Sequence, residues 1–159
     1  MNLFPAIAFI ALSPKISPDH SLDFWLGSWD VYVGTELNGT DLVEKVVGGF
    51  AVIENWKEPS GSTGKSLFYF MPSQGKWKQV WVTDVGVYKE KYSEPFENGI
   101  RFAGTVFLPD GRKVKDRTTL TKLPGGEVRQ VIEFTKDGQH WQTSFDAVYK
   151  KAKKVIGDR

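Results

Sequence analysis

Residues 23–32, DFWLGSWDVY, concentrate two tryptophans, a phenylalanine and a tyrosine around a single glycine. Aromatic and β-branched side chains favour strands, because they pack well on a pleated, half-buried surface. From Trp29 onward this stretch opens a series of similar ones, each rich in valine, isoleucine, threonine and aromatic residues. It therefore predicts the first strand of an all-β domain, beginning near residue 28.

Turn signals divide the rest of the chain at short intervals. Asn38-Gly39 predicts a two-residue type I′ hairpin turn, because both central residues of that turn need a positive φ. Glycine, proline, asparagine and aspartate supply the other signals, since each favours a turn for its own steric or hydrogen-bonding reason. These signals are Gly48-Gly49, Gly61-Ser62, Ser73-Gln74-Gly75, Asn98-Gly99, Pro109-Asp110-Gly111, Pro124-Gly125-Gly126 and Asp137-Gly138.

The segments between the turns predict about ten strands in an antiparallel, up-and-down meander, because short links join neighbouring antiparallel strands. A long meander protects its edges by folding into a sandwich or by closing into a barrel. Tight links throughout favour closure, since a Greek-key sandwich needs a long crossover. The predicted strands lie near residues 28–36, 41–47, 51–58, 65–70, 77–84, 87–92, 100–107, 112–121, 127–135 and 140–149.

A barrel of this size predicts an internal cavity. Side chains just fill the interior of an eight-stranded barrel, and the diameter grows with strand number. The fold class is therefore predicted to be all-β: a meander closed into a barrel of about ten strands, with space inside for a ligand.

Composition excludes several kinds of site. The 159 residues fit one domain, and the absence of cysteine excludes disulfides, thiolate catalysis and thiolate zinc sites. A formal net charge of +2 does not indicate a nucleic-acid partner. The two histidines, His20 and His140, fall before the first strand and beside a turn, which argues against a haem or metal ligand. We expect no cofactor and no metal.

The chain begins with an apolar run, Leu3 to Leu12, which is too short to span a bilayer but suits a signal peptide. The alternative is a short strand or helix packed against the domain. The predicted organisation is a signal peptide or apolar leader at 1–17, a linker and short helical turn at 18–27, the barrel at 28–150 and a basic tail at 151–159. We expect export to the periplasm or the medium, with the cytoplasm as the alternative location. We expect no integral membrane segment. The oligomeric state stays open.

Gly27-Ser28-Trp29 resembles the G-x-W signature of the calycins, the group that includes lipocalins and fatty-acid-binding proteins. The resemblance implies that Trp29 closes one end of the barrel and that Gly27 lets the chain turn sharply into the first strand. It also implies a late basic side chain over the indole, for which Lys150 and Lys151 are the candidates.

Residues 22–149 also resemble a family of small, often exported, bacterial calycin-like domains with no assigned activity. The resemblance rests on blocks such as VEKVVGGFAVIENW and GKSLFYFMPSQGKWKQVWVTD. This chain departs from the family at Phe70-Met71, where relatives tend to have Tyr-Asp, and at Phe50, often Cys in relatives. The positions that stand out in the family pattern are Glu54, Trp56, Trp77, Gln79, Trp81, Arg117, Gln130 and Trp141.

Strand alternation gives an independent prediction of the pocket. Trp77, Gln79 and Trp81 share one face of a strand, and so do Glu54 and Trp56. A face that mixes tryptophan with a few polar groups is typical of a small-molecule site. The candidate ligand-binding residues are Glu54, Trp56, Gln79, Trp81, Arg117 and Gln130.

The polar candidates allow more than one role. Arg117 has the geometry to hold a ligand carboxylate with two hydrogen bonds, and alternation then turns its neighbour Asp116 outward. A salt bridge between Glu54 and Arg117 that merely fills the lumen is equally compatible with the sequence. The tryptophans suit packing in the barrel wall as well as ligand contact.

Three functions follow as hypotheses. The first is binding of a small, mostly apolar ligand, with or without an acidic group. The second is an isomerase, cyclase or hydratase that uses Glu54 as acid or base, which requires Glu54 to line an open cavity without a permanent arginine partner. The third is an interaction module, which predicts a lumen filled by phenylalanine and tryptophan and an apolar patch outside.

Overall fold

The computed structural model of the chain describes residues 16–152. Within that range the chain forms ten strands and three single turns of 3₁₀ helix, at Asp23–Trp25, Val47–Gly49 and Pro124–Gly126. The strands are β1 (Gly27–Val33), β2 (Glu36–Val46), β3 (Ala51–Lys57), β4 (Thr63–Met71), β5 (Lys76–Thr83), β6 (Tyr88–Phe96), β7 (Gly99–Phe107), β8 (Lys113–Lys122), β9 (Val128–Thr135) and β10 (Gln142–Lys151).

The strands close into an antiparallel barrel in which each strand pairs with its neighbours in sequence. The last strand completes the circle: β10 pairs with β1 from Trp29 opposite Lys151 to Tyr32 opposite Val148. The predicted fold class, an up-and-down meander closed into a ten-stranded barrel, is confirmed.

The prediction for Asn38-Gly39 is wrong. The turn between β1 and β2 falls at residues 34–35, where Gly34 takes a φ of 59°, and Asn38-Gly39 lies inside β2. Val31 pairs with Gly39 and Tyr32 with Leu37, so Asn38 is the extra residue of a bulge. Gly39 is needed for another reason: a Cβ there would lie 2.4 Å from the ring of Trp56.

One end of the barrel is closed by the chain that leads into β1. Trp29 Nε1 donates a 2.8 Å hydrogen bond to the carbonyl oxygen of Trp25, and both side chains are buried. Lys151 Nζ lies 3.6 Å from the centre of the Trp29 ring and donates to the carbonyl oxygen of Leu26 at 2.7 Å. A Cβ on Gly27, whose φ is 124°, would meet that ammonium at 2.8 Å. Lys151 rather than Lys150 therefore covers the indole.

The core lies in this half of the barrel, which we call the closed half. The links at 47–50, 72–75, 97–98 and 123–127 lie at the closed end, and the other five links border the open half. Phe68 is central to the closed half and meets Trp25 and Phe102 edge to face, with ring centres 5.6 and 5.1 Å apart. Tyr149 packs in the same way against Trp25 and Trp29. Edge-to-face pairs add about 0.5–1.5 kcal/mol each to the burial of the rings themselves.

The predicted leader at 1–17 lies outside the described residues except for its last two positions, and so does the basic tail beyond Ala152. Among residues 16–152, no helix has both the length and the apolar character needed to cross a membrane.

Candidate functional site

The inward-facing residues change from apolar to polar along the strands. In β3, for example, Val52 faces the closed half, and Glu54, two positions on, lies at mid-height. The change recurs on neighbouring strands, as from Phe68 to Ser66 in β4 and from Leu120 to Thr118 in β8. The result is a buried layer, here called the polar belt, which consists of Asp41, Glu54, Ser66, Gln79, Lys91, Asp116, Thr118 and Gln130.

Beyond the polar belt the lumen is hollow. A cavity of about 220 Å³ occupies the open half. Its upper wall is aromatic: Trp56 and Phe145 meet edge to face with ring centres 6.3 Å apart, and Trp81 lies in the same wall. The lining residues are Asn38, Glu54, Trp56, Glu58, Gln79, Trp81, Lys89, Lys91, Thr118, Gln130, Ile132, Phe145 and Tyr149.

A chain of side-chain hydrogen bonds holds Glu54 in the cavity wall. Ser66 Oγ donates to Glu54 Oε2, and Gln79 Nε2 donates to Ser66 Oγ at 3.1 Å. The Gln79 amide therefore uses its nitrogen, while its buried oxygen has no hydrogen-bond partner in the described part of the chain. An orphaned acceptor in a cavity wall is a natural contact for a ligand N–H or O–H group, because leaving it unpaired costs about 1–3 kcal/mol.

Asp41 stands behind Glu54 as a second buried carboxyl group. Burial and the adjacent Glu54 raise the pKa of Asp41 to about 9, so Asp41 is protonated at neutral pH. Burial also raises the pKa of Glu54, against the opposing effects of the Ser66 hydroxyl and the two nearby lysines. The pair thus keeps at least one proton inside the barrel at neutral pH.

Two lysines of β6 face into the lumen. Lys91 is fully buried, forms an ion pair with Asp116 and donates to Thr118 Oγ1 at 2.6 Å. Lys89 lies nearer the open end, with Nζ 3.5 Å from Asp116 Oδ2 and 4.7 Å from the centre of the Trp81 ring.

Burial shifts the titration of both lysines. It lowers the pKa of Lys89 to about 8, although the nearby Glu54 opposes the shift. Burial and the adjacent ammonium of Lys89 lower the pKa of Lys91, while the ion pair with Asp116 favours its charged form.

Tyr149 and Gln130 complete the polar wall. The Tyr149 hydroxyl donates to Gln130 Oε1 at 3.0 Å, and burial raises the pKa of Tyr149, so the phenol stays neutral. The Gln130 carbonyl is thereby occupied.

Five of the six residues predicted for ligand contact line this one cavity: Glu54, Trp56, Gln79, Trp81 and Gln130. The sixth, Arg117, faces outward. Its guanidinium holds Glu133 through two hydrogen bonds of 2.7 and 2.9 Å and lies 4.1 Å from the centre of the Trp141 ring. The expected carboxylate clamp and the expected Glu54–Arg117 salt bridge are both wrong.

The error lies in the assumed phase of β8. Asp116, expected to point outward, is 3% exposed and faces the lumen with Thr118 and Leu120. Val114 and Leu120 share the face of Asp116, so the apolar residues of this strand indicate which of its faces points into the lumen. An arginine on the opposite face must then point outward.

The lysines and Asp41 were missed for different reasons. Lys89 and Lys91 lie in a strand of charged and polar residues, YKEKYSE, whose pattern does not indicate which face is buried. Their orientation follows only from the pairing of Gln79 with Lys91 across β5 and β6. Asp41 shares its face with Val43, and that alternation could have revealed it.

The interaction-module hypothesis matches only part of the lumen. Aromatic side chains fill the closed half as that hypothesis requires, but the cavity occupies the open half.

Comparison with known proteins identifies no family: neither the scan against protein-family models nor the search of curated proteins finds a match. Function is therefore inferred from the cavity itself.

Proposed function

We propose that this protein is a calycin-like barrel that binds a small molecule in the open half of its lumen. The observation that carries the proposal is a hollow of about 220 Å³ with aromatic upper walls and a buried polar floor. Small-molecule sites are typically concave and mainly apolar, with a few polar groups that orient the ligand.

The cavity volume limits the ligand. A dry protein cavity of about 150 Å³ accommodates benzene. The hollow in this barrel therefore suits a molecule of one or two rings, or a short branched chain, and is small for a porphyrin or a long acyl chain.

The wall predicts how such a ligand lies. Trp56 and Trp81 offer ring faces and edges to an aromatic or conjugated body. The free carbonyl of Gln79 accepts a hydrogen bond from the ligand, and Lys89 is a cation that reaches the cavity. An acidic group on the ligand would therefore meet Lys89, since Arg117 lies outside.

The first experiment is a binding screen with one- and two-ring acids, alcohols and amides, read by tryptophan fluorescence and thermal shift. A ligand at about one hundred times its Kd stabilises the folded state by roughly 2.7 kcal/mol, which raises Tm by roughly 5–10 °C. Trp81→Phe should reduce the fluorescence response, because Trp81 is one of two tryptophans that line the cavity.

Trp141→Phe is the matched control, since Trp141 stacks on Arg117 outside the cavity. That variant should keep the response. The proposal fails if no compound of this size shifts either signal, or if Trp141→Phe loses the response and Trp81→Phe keeps it.

A second candidate function is acid–base catalysis in the same cavity. Glu54 lines the cavity and has no arginine partner among residues 16–152, as a catalytic acid or base at this position requires. Asp41 supplies a proton behind it. We propose proton transfer next to a carbonyl group, as an isomerase, cyclase or hydratase requires.

Deuterium exchange at the enolisable carbon of 2-tetralone, a two-ring ketone, tests this candidate. Glu54→Gln should slow protein-catalysed exchange by roughly 100-fold or more, since a positioned base contributes that much. Binding of the ketone should persist in this variant, because the amide keeps the size of the carboxyl group. Equal exchange rates in the two proteins would rule out Glu54 as the base.

A further inference from the structure

Lys89 is a primary amine that lines the cavity. Its side chain is 13% exposed, and it lines the cavity below the ring of Trp81. A surface lysine keeps its ammonium in water, whereas this one directs it into a small hollow. A ligand in the cavity can therefore contact the Lys89 nitrogen.

The neighbours of Lys89 leave its nitrogen accessible. Asp116 is already in close contact with Lys91, and its second oxygen lies 3.5 Å from Lys89 Nζ, at the outer limit of a hydrogen bond. The other contact is the ring face of Trp81, which attracts a cation but forms no directed bond. Lys91, by contrast, is fully buried and held by both Asp116 and Thr118.

We propose that Lys89 forms a reversible imine with an aromatic or conjugated aldehyde or ketone bound in the cavity. This inference rests on the proposed binding function and names the ligand class of the same site. The amine comes from Lys89, the proton donors and acceptors from Glu54 and Asp41, and the ring contacts from Trp56 and Trp81.

The reaction balances within the site. The neutral amine of Lys89 attacks the carbonyl carbon, forming a C–N bond, and the carbonyl oxygen takes up a proton. The resulting carbinolamine loses its oxygen as water after a second proton transfer, and a C=N bond forms. Overall the lysine ammonium and the carbonyl compound give a protonated imine and one water, with no oxidant or reductant and no net proton change.

The same neighbours suit each stage of this reaction. Burial lowers the pKa of Lys89 to about 8, so roughly a tenth of the amine is neutral at pH 7. Glu54 lines the same cavity, and the proton on Asp41 lies behind it. The product keeps its positive charge beside Asp116 and the face of Trp81.

Three probes with one carbon skeleton test the proposal: cinnamaldehyde, cinnamyl alcohol and cinnamate. Each is incubated with the full chain and sodium cyanoborohydride, which reduces an imine to a stable secondary amine. Intact mass and peptide mapping then give the extent of modification at every lysine. The alcohol and the acid cannot form an imine, so they report reversible binding alone.

We expect the aldehyde to modify Lys89 roughly tenfold or more faster than the average surface lysine. Prior unfolding in urea should abolish that preference. Lys89→Arg, which keeps the charge, should lose the adduct, and the matched surface variant Lys76→Arg should keep it. Because mapping uses the wild-type chain, the test does not depend on the folding of a variant.

The outcomes separate the two proposals. If the alcohol or the acid binds but the aldehyde modifies all lysines evenly, the imine is refuted and the binding function stands. If the acid binds and the aldehyde leaves Lys89 unmodified, the imine is again refuted. If none of the three probes binds or reacts at Lys89, the imine proposal fails, and the screen of other ring compounds decides the binding function.

Discussion

The two halves of the lumen are built from the same strands and differ in almost every physical respect. In the closed half, aromatic side chains such as Phe68, Trp25 and Tyr149 meet edge to face and are buried almost completely. In the open half, a polar belt carries paired charges below a cavity of about 220 Å³. One end of each strand therefore contributes mainly to stability, and the other end carries groups whose burial is unfavourable unless they are paired.

This difference shows where a small barrel can bury titratable groups. Burial of the aromatic rings stabilises the folded state and offsets the unfavourable desolvation of the lysines and carboxyl groups. Those groups are held close to their partners and shifted in pKa, as functional groups commonly are. Three predictions test the division between the halves.

The largest effect is expected from Phe68→Ala in the closed half. Phe68 is 1% exposed and touches both Trp25 and Phe102. Its truncation leaves a cavity and should lower the free energy of unfolding by about 3–5 kcal/mol. Trp81→Ala in the open half is the comparison and should lower it by less, because that ring is only partly buried and borders a hollow. Urea denaturation of both variants measures the difference, and equal losses would refute the division.

A somewhat smaller effect is expected from Asp116→Asn. This change leaves Lys91 fully buried without its carboxylate, which should lower the free energy of unfolding by about 3 kcal/mol. Glu133→Gln breaks the outward ion pair with Arg117 and should lower it by less than about 1 kcal/mol, since water screens that pair.

The double variant Lys91→Met, Asp116→Leu sharpens the comparison. It should regain most of the stability that Asp116→Asn loses, because apolar side chains of similar volume replace a buried pair without an uncompensated charge. Equal losses of stability from Asp116→Asn and Glu133→Gln would show that the polar belt is not desolvated.

The smallest effect is expected from Asp41→Asn, which changes how steeply the free energy of unfolding varies with each unit of pH. Asp41 has a pKa of about 9 in the folded chain and near 3.8 unfolded, so the folded state holds a proton that the unfolded state has released. Its contribution is fully present below about pH 4 and is lost as the pH rises towards 9.

Between pH 5 and pH 8 the wild-type chain should therefore lose about 1 kcal/mol per pH unit through this group. Asp41→Asn should show a shallower decline in urea titrations across that range. Lys89, with a pKa of about 8, and Lys91, whose pKa burial also lowers, change stability in the opposite sense. Both lysines remain in Asp41→Asn, so the difference between the two slopes isolates Asp41. Identical slopes in the two proteins would mean that Asp41 is ionised in the folded state.

The sequence predicted more of the fold than of the site. Turn signals and strand composition are local, and they placed the ten strands with bounds that differ from the observed ones by up to five residues. The prediction from Asn38-Gly39 was wrong because this glycine makes room for Trp56, seventeen residues away, and does not form a local turn. A turn prediction considers only neighbouring residues, whereas this glycine is required by a residue distant in sequence.

The site was predicted where alternation had a clear anchor. Tryptophans fixed the inward face around Gln79, and the structure places Gln79 and Trp81 in the cavity. In β8 the phase was assigned from the expected role of Arg117 rather than from Val114 and Leu120, so Asp116 and Arg117 were exchanged. In β6, with lysines and tyrosines throughout, no anchor existed.

A closed antiparallel barrel follows from the sequence of the chain, because alternation, turn chemistry and tight links act between near neighbours in sequence. That Lys89, Asp116 and Glu54 share one lumen follows from the folded barrel, since their strands meet through closure and register across it. A shift of one residue in register would have turned each of these charges to solvent. The chemistry of the cavity is thus a property of strand pairing, which no single segment carries.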